Sequence, residues 1–301
     1  MKKINILLIL FITICITSCI DPIEIDQQDG PQLIGINGYI TNEYKKHQIV
    51  ISKTADFYSK DDIEMVTEAE VFVYDGFDTI YFKETENKGY YETIDSVAGI
   101  IGRTYNLYVN IIGENGEQNF YAQSTMRDNV ETIDSLKIKD VVLGEMNIPG
   151  TLGLYPYFSS IADPQTTYLV NVAVNDSLYN KSLIKCQSFS LGNLSGTYLN
   201  SPETIALIGE QPIYYFFGES MIDMGNGTVE FKKAINKGDN VTMFMYSITP
   251  EFSKYISDIN SNFGSNPMMG MPYNVSTNIY PEGKAVGFFE ATSVVKSSVI
   301  Y

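Results

Sequence analysis

The chain has 301 residues, of which 36 are acidic and 20 are lysine or arginine, so its formal net charge is −16 at neutral pH. A chain this acidic repels nucleic acids and anionic lipid headgroups, which excludes binding to either by charge. Its single histidine, His47, excludes the HExxH motif and any zinc site with two histidine ligands. We expect His47 to be an exposed residue at the start of a strand.

The first eighteen residues have the order of parts of a secretory signal. Lys2 and Lys3 precede an apolar stretch from Ile4 to Ile16, which is shorter than the roughly 20 residues that a membrane-spanning helix needs. The next residues complete the sequence Ile16-Thr17-Ser18-Cys19, which resembles the lipobox of bacterial lipoproteins. We therefore expect residues 1–18 to be removed and Cys19 to carry lipid. An ordinary signal with an incidental cysteine is the alternative.

An acidic segment, IDPIEIDQQDGPQ, follows Cys19 and ends near Gly30-Pro31. We predict that residues 19–32 form a tether, which would reach roughly 45–50 Å when fully extended. Because the chain is acidic, membrane attachment would depend on the acyl chains alone. Once Cys15 leaves with the signal and Cys19 takes lipid, Cys186 remains, and we interpret it as a small buried side chain.

From Leu33 onwards the sequence is typical of β-strands. TYNLYVNII at 104–112 and TYLVNVAVN at 167–175 alternate between apolar and polar residues, as half-buried strands do, whereas DNVTMFMYSI at 239–248 is apolar on both faces. Asn115-Gly116 is the clearest hairpin signal. Turns recur every 8–12 residues before residue 128, and longer links follow. The fold class that we predict is therefore mainly β, with an Ig-like or transthyretin-like β-sandwich over 33–127 and a larger antiparallel β domain over 128–301.

One helix is predicted, at residues 250–263. Thr249 is the N-cap, Pro250 is the first helical residue and Glu251 lies in the first turn, where a negative charge is favourable. Apolar residues then recur at helical spacing, and Gly264 ends the element. This apolar stripe indicates core packing: Phe252, Tyr255, Ile256, Ile259 and Phe263.

Two stretches resemble known families. The first follows the strand pattern of carboxypeptidase-regulatory-like and transthyretin-like sandwiches, with an Ala-x-Val-x-Val strand, a Gly-x-Tyr strand and a Gly-x-x-Tyr-x-Leu strand. The residues at those places are Ala69, Val71, Val73, Gly89, Tyr91, Gly102, Tyr105 and Leu107. This resemblance implies a β-sandwich over the amino-terminal part of the chain.

The second resemblance is at the carboxyl end, in ITPEFSKYI followed by PYNVSTNIYPEGKAVGFFEATSVV. A helix with a tyrosine, a Pro-x-Asn-Val-x-x-Asn-Ile stretch and a Gly-Phe-Phe-x-Ala strand resemble the ending of a large Bacteroidota lipoprotein family, domain-of-unknown-function family 4249. Its members are often encoded beside TonB-dependent outer-membrane receptors. The loop YPEGKAV departs from the family pattern, since it has only Gly283 before Gly287. The family has no established catalytic residues, so none are assigned here.

These observations together predict a lipid-anchored outer-membrane protein that is a non-enzymatic accessory or ligand-capture partner of a TonB-dependent receptor in nutrient uptake. Its cell-surface or periplasmic orientation is left open. The chain has no tryptophan, but its 22 tyrosines and 16 phenylalanines could bind an unknown ligand, such as a peptide, a glycan or another nutrient. One alternative is a structural or adhesive lipoprotein of fimbrial type. A hydrolase that uses two of the 36 carboxylates is the other.

No cofactor or metal site is expected. GxGxxG, P-loop and GxSxG motifs do not occur in the sequence, and the acidic loops at 26–30, 60–64 and 113–117 lack the ligand spacing of a calcium site. Four Asp-Ser/Thr-apolar triplets resemble the acceptor sequence of Bacteroidota O-glycosylation, whereas Asp-Ser/Thr pairs also mark ordinary turns. The four acceptor residues would be Thr79, Ser96, Ser135 and Ser177.

Overall fold

The structure, a computed structural model, describes most of the chain from residue 31 onwards. The described ranges are 31–55, 62–113, 116–128, 132–143, 146–158, 166–178, 187–190, 214–216, 221–223, 229–231, 235–264 and 274–301. The predicted signal, Cys19, the tether up to Gly30, and Cys186 lie outside these ranges. The described residues from Gln32 onwards belong to one compact unit.

Eighteen strands and one helix are defined within the described ranges. The strands are β1 (Ile34–Thr41), β2 (Gln48–Lys53), β3 (Glu70–Tyr74), β4 (Thr79–Glu84), β5 (Tyr90–Thr93), β6 (Thr104–Gly113), β7 (Gly116–Thr125), β8 (Ser135–Leu143), β9 (Met146–Tyr157), β10 (Thr167–Val174), β11 (Ser177–Leu178), β12 (Gln187–Ser190), β13 (Tyr214–Phe216), β14 (Met221–Asp223), β15 (Val229–Phe231), β16 (Asn240–Ile248), β17 (Ile279–Tyr280) and β18 (Ala285–Ile300). The helix, α1, is Pro250–Gly264.

Thirteen of the strands form one sheet in the order β11, β10, β16, β18, β1, β2, β5, β4, β3, β6, β7 and β17, with β12 also paired to β10. Strands β13, β9 and β8 form a second sheet, and β14 pairs with β15. The large sheet is antiparallel except for the parallel pair β1 and β18. The prediction of a mainly β fold with one helix is confirmed.

The first core lies inside the part of the large sheet that runs from β18 and β1 to β7 and β17. The pattern predicted for β6 is confirmed, since Tyr105, Leu107, Val109 and Ile111 are buried and alternate with partly exposed residues. The sheet curls, so that β7 and β17 return to β18. There, the Asn278 side chain bonds the backbone of Phe289 on β18 and the carbonyl of Gln123 on β7. This part of the fold is a β-sandwich-like unit.

The second and third cores lie on the two faces of β10, β16 and β18. One face packs on β8 and β9, and the other packs on α1. The two-sided burial predicted for β16 is therefore confirmed. The half-buried character predicted for β10 is wrong, because Leu169 packs in the core beside α1 and Asn171 is only 2% exposed. Alternation along a strand cannot show that a distant helix covers its polar face.

Strand β18 belongs to both regions. Residues Ala285–Thr292 pair with β1, and Ser293–Ile300 pair with β16. Gly287 allows the close approach of β1, because its φ is +101° and a Cβ atom there would lie 2.2 Å from the carbonyl oxygen of Ile36. The predicted domain boundary between 127 and 128 stays a prediction, and the strands on its two sides share one sheet.

Local signals were accurate at the helix and at the clearest hairpin. The Thr249 hydroxyl accepts a hydrogen bond from the Phe252 N–H at 3.2 Å, as an N-cap does. Phe252, Tyr255 and Ile256 lie on the buried face of α1 and pack in the third core. The hairpin of β6 and β7 is confirmed, with Gly116 at a φ of +100°.

Candidate ligand-binding face

Five aromatic side chains form a continuous row across the outer face of the sandwich. Phe72 of β3 is directly opposite Tyr81 of β4 on one side and Tyr108 of β6 on the other. Tyr108 is opposite Tyr121 of β7, which is opposite Tyr280 of β17. We call these five residues the aromatic row. Because paired strands are about 4.8 Å apart, the row is roughly 19 Å long.

Four rings of the aromatic row contact one another, from Tyr81 to Tyr121. The centroids of Phe72 and Tyr108 are 4.9 Å apart, with the ring planes 18° from parallel. Tilted contacts connect Tyr108 to Tyr121 at 5.3 Å and Phe72 to Tyr81 at 6.1 Å. The two end residues, Tyr81 and Tyr280, are the most open, at 55% and 58% exposed. The ring contacts stabilise the central residues, and the two ends keep surface available for a ligand.

Polar side chains lie on both sides of the aromatic row. On one side Asn106 is opposite Gln123, and its Oδ1 accepts hydrogen bonds from the Tyr121 hydroxyl at 2.8 Å and from the Gln123 amide at 2.9 Å. On the other side Asn110 is opposite Asn119, and its amide donates to Glu70 at 2.8 Å. The face therefore combines apolar ring surface with amide donors and acceptors.

The hydroxyl group of Tyr121 stays protonated at neutral pH. Partial burial raises the pKa of Tyr121 above its usual value of 10, and the neighbouring Tyr108 raises it further. Tyr121 therefore offers a neutral hydroxyl that can donate and accept hydrogen bonds. A row of this kind suits an extended ligand with alternating apolar and hydroxyl or amide groups.

Alternation in the sequence could show that these aromatic residues point outwards, but not that they are neighbours. Each residue of the row is on the partly or fully exposed face of its strand. Their alignment depends on the register of four strand pairs, which is set by the whole fold. The prediction that some tyrosines and phenylalanines would line an exposed face agrees with this arrangement.

The four O-glycosylation acceptors remain predictions, and they lie at turns or strand starts. Thr79 begins β4, Ser135 begins β8 and Ser177 follows the Asn175-Asp176 turn, and all three are exposed. Ser96 is partly exposed in the loop after β5. They are not clustered in one site. Thr79 lies opposite Tyr74 and on the same face of β4 as Tyr81, so it is beside the aromatic row.

The expectation that His47 is exposed is wrong. It precedes β2 as predicted, but it is only 2% exposed. Its Nδ1 accepts the backbone N–H of Thr41 at 3.4 Å, and its Nε2 is 3.0 Å from the carbonyl oxygen of Val97. Burial lowers the pKa of His47 to about 4, so the ring is neutral at physiological pH. Its role is to join two loops at the end of the sandwich.

Sequence reasoning missed the buried carboxyl group of Glu290 on β18. Its side chain is fully buried and accepts hydrogen bonds from the N–H of Thr249 at 2.6 Å, the hydroxyl of Thr249 at 2.8 Å and the hydroxyl of Ser124 at 3.0 Å. Burial raises the pKa of Glu290 to about 8, an effect that these three donors oppose and Glu251 adds to. The signal was a single charged residue within the apolar run GFFEATSVV.

A small cavity of about 380 Å³ is adjacent to the donors of Glu290, with Ser124, Thr249 and Arg127 in its wall. Glu290 joins β7, β18 and the start of α1, so we interpret it as a structural group. Within the described ranges, no cluster of three or more His, Cys, Asp or Glu side chains could hold a metal ion. In the same part of the chain, no helix has the length and apolar character needed to cross a membrane.

Comparison with family models gives a match to the family described as Domain of unknown function (DUF4249), over residues 20–298. The chain belongs to this family. No curated protein matches the chain significantly. The DUF4249 match spans both the sandwich and the region after residue 128, and it begins immediately after Cys19.

Two of the residues that suggested the DUF4249 family have structural roles. The side-chain amide of Asn278 pairs with the backbone of Phe289 as a neighbouring strand would. Its Oδ1 accepts the Phe289 N–H at 3.0 Å, and its Nδ2 donates to the Phe289 carbonyl at 2.7 Å. Gly287 lets β18 approach β1 at a point where any side chain would meet the backbone of Ile36. Both residues hold β18 in place.

Proposed function

We propose that this DUF4249 protein is a lipid-anchored, non-enzymatic ligand-capture protein of the outer membrane, and that it presents its ligand to a TonB-dependent receptor. The observation that supports capture is the aromatic row, in which five rings in register are flanked by amide side chains. Aromatic and amide groups together bind the apolar faces and hydroxyl groups of extended ligands. The ligand would be a glycan or a peptide.

The anchor is supported by the sequence around Cys19. The apolar segment is too short to span a membrane, and the lipobox-like sequence ends at the residue before the family match begins. The acidic chain needs acyl chains to remain at a membrane. Replacing Cys19 with serine should therefore release the protein into the soluble fraction of lysed cells. Retention of the Cys19→Ser variant in the membrane fraction would contradict the anchor.

Ligand capture is tested by removing the centre of the aromatic row. We expect Tyr108→Ala with Tyr121→Ala to weaken binding at least tenfold to whichever oligosaccharide or peptide binds in an array screen, because each lost aromatic contact is worth about 1 kcal/mol. The matched control is Tyr44→Ala, since Tyr44 is an exposed tyrosine in the loop between β1 and β2 and is not part of the row. Equal affinity of the double variant and the unsubstituted protein would refute capture by this face.

The partnership with a receptor needs its own experiment. After mild solubilisation of membranes, we expect the protein to co-purify with a TonB-dependent receptor, and deletion of its gene to reduce uptake of the ligand found in the array screen. If no receptor co-purifies and uptake is unchanged, the partnership is wrong even if the aromatic row binds its ligand.

A further inference from the structure

The curled sheet of the sandwich is closed along only part of its seam. Strand β7 pairs with β6 along its whole length. On its other edge, among the described residues, only Tyr121 and Ala122 have a strand partner, which is β17. Strand β17 ends before Pro281, which has no N–H group to donate. Residues 116–120 therefore form an open edge of β7 that is about 17 Å long.

A groove lies beside this open edge, and we call it the β7 groove. It has a volume of about 770 Å³, and its lining includes residues 117–120 of β7 together with Pro281 and Lys284. Four residues of the first core also line it, and each keeps an exposed fraction of 5–8%: Ile34, Val66, Ile111 and Phe120. The core of the sandwich is therefore accessible at the place where its sheet lacks a partner strand.

The backbone of the open edge determines the kind of molecule that fits it. In a strand that is paired on one side only, alternate residues direct both their N–H and their C=O groups away from the paired neighbour. An extended polypeptide has N–H and C=O groups at the same spacing, so an added strand can satisfy all of these groups. Residues 116–119 are exposed, so such a strand can reach their backbone.

The lining of the β7 groove determines which side chains an added strand needs. Successive side chains of a strand point to opposite faces, so only one face of the added strand contacts the apolar core residues. Lys53 and Lys284 line the groove together with one acidic residue, Glu117. Lys53 is in an ion pair with Glu64, whereas Lys284 is exposed and forms no ion pair among the described residues. Lys284 is therefore available to an acidic side chain of the occupant.

We propose that the β7 groove binds an extended segment of a partner protein, in which apolar and acidic residues alternate, as an added strand beside residues 116–120. The backbone of the segment pairs with β7, its apolar side chains cover the exposed part of the first core, and an acidic side chain pairs with Lys284. A second copy of the chain is a poor occupant, because two chains of net charge −16 repel each other. This interaction goes beyond ligand capture, since no residue of the aromatic row lines the groove.

The test is hydrogen exchange at the backbone amides of residues 117–120, in the protein purified from membranes in detergent. The probe is a short synthetic peptide in which valine and glutamate alternate. Without peptide we expect rapid exchange at the amides that point away from β6. A saturating concentration of the peptide should slow that exchange at least tenfold, without changing exchange in the middle of β6. The control peptide has the same composition with its valines consecutive, and it should have no effect.

A charge reversal tests the preference for acidic residues. Lys284→Glu should weaken binding of the valine–glutamate peptide at least fivefold, and it should strengthen binding of a peptide with lysine in place of glutamate. The matched control is Lys46→Glu, since Lys46 is an exposed lysine before β2 and does not line the groove. It makes the same change in net charge and should leave the affinity for both peptides unchanged.

Three results would overturn the proposal. The first is unchanged exchange at residues 117–120 with saturating alternating peptide, or an equal effect of the control peptide. The second is an equal effect of Lys284→Glu and Lys46→Glu on affinity. The third is slow exchange at these amides without any peptide, which would assign the edge to a second copy if it depends on protein concentration and to the same chain if it does not. None of these results depends on the aromatic row or its ligand, so the proposal can fail independently of the proposed function.

Discussion

Two parts of the large sheet, the outer sandwich strands β3, β6 and β7 and the strands β10, β16 and β18, differ in what covers their faces. In β3, β6 and β7 one face forms the first core and the other is in contact with solvent, so apolar and polar residues alternate. In β10 and β16 both faces are covered, by β8 and β9 on one side and by α1 on the other. Polar residues in these strands, such as Asn171 and Ser247, are buried. Alternation therefore reports solvent exposure only where no second layer covers the sheet.

This difference also separates stability from function. In the covered part of the sheet, formed by β10, β16 and β18, the side chains pack in two cores. On the open face of the sandwich, the aromatic row and the neighbouring amide side chains are accessible to solvent. Changes on the open face should alter binding and leave folding nearly intact. Changes in the covered sheet or at its junction with the sandwich should destabilise the whole compact unit. The predictions below test this separation.

The largest effect is expected at the junction, from Gly287→Ala. The substitution forces an L-residue to adopt a φ of +101° and places a Cβ atom 2.2 Å from the Ile36 carbonyl oxygen. We expect the free energy of unfolding to fall by about 4 kcal/mol. The control is Gly283→Ala, where φ is +73° but no atom lies near the new Cβ, and where the loss should be about 1 kcal/mol. Denaturant unfolding measures both, and equal losses would contradict the role of close approach.

A smaller decrease in the free energy of unfolding is expected for a substitution in the covered part of the sheet. Leu169 is fully buried beside α1, so Leu169→Ala should reduce the free energy of unfolding by about 3 kcal/mol. Tyr108→Ala on the open face removes a larger side chain but should cost only about 1 kcal/mol, because Tyr108 is partly exposed. Thermal unfolding of the two variants compares the covered part of the sheet with the open face of the sandwich directly. A larger loss for Tyr108→Ala would show that the open face is part of the stabilising core.

The next effect depends on pH and involves Glu290. Burial raises its pKa from 4.5 to about 8, so between these values the folded protein binds a proton that the unfolded chain has released. Its contribution to stability is therefore greatest below pH 4.5 and is lost as the pH rises through 8. Glu290→Gln cannot lose a proton, and at pH 9 we expect it to be more stable than the unsubstituted protein by at least about 1 kcal/mol. If the two proteins lose stability in parallel from pH 5 to 9, Glu290 is ionised in the fold.

The smallest effect is expected in a turn of the sandwich, from Asp75→Asn. Burial raises the pKa of Asp75, but the N–H groups of Asp78 and Phe77 and the Arg103 guanidinium outweigh it, so the pKa lies below 3.8. Arg103 is 2.6 Å from the carboxylate and lies over the Phe77 ring. We expect a loss of about 0.5–1 kcal/mol at pH 7. The loss should decrease as the pH falls from 3.8 through the lowered pKa of folded Asp75, where the carboxylate becomes protonated, and chemical denaturation at pH 7 and pH 3 measures it.

Features set by neighbouring residues could be predicted from the sequence. The N-cap at Thr249, the apolar stripe of α1 and the two faces of β6 each depend on residues within one element. The hairpin at Gly116 depends on two adjacent strands. In each case the physical cause lies within a few residues, so the local sequence contains everything that the prediction needs.

Features set by distant partners could not be predicted. The aromatic row requires the register of five strands between residues 72 and 280. The burial of Glu290 requires Ser124 and Thr249, which lie 166 and 41 residues away. The burial of His47 requires Val97. The sequence offered only the residue types, namely exposed aromatics, one acid in an apolar strand and one histidine beside a strand.

The shared strand β18 also determines when the molecule can fold. Its residue Phe289 completes the first core, although every other strand of that core except β17 ends before residue 126. The parallel pair of β1 and β18 closes a loop of 251 residues, from Ile34 to Ala285. Contacts this distant along the chain form late and slowly, since the entropy of closing the loop must be lost first. The first core of the amino-terminal sandwich therefore cannot be completed until β18, 251 residues further along the chain, is available to pair with β1.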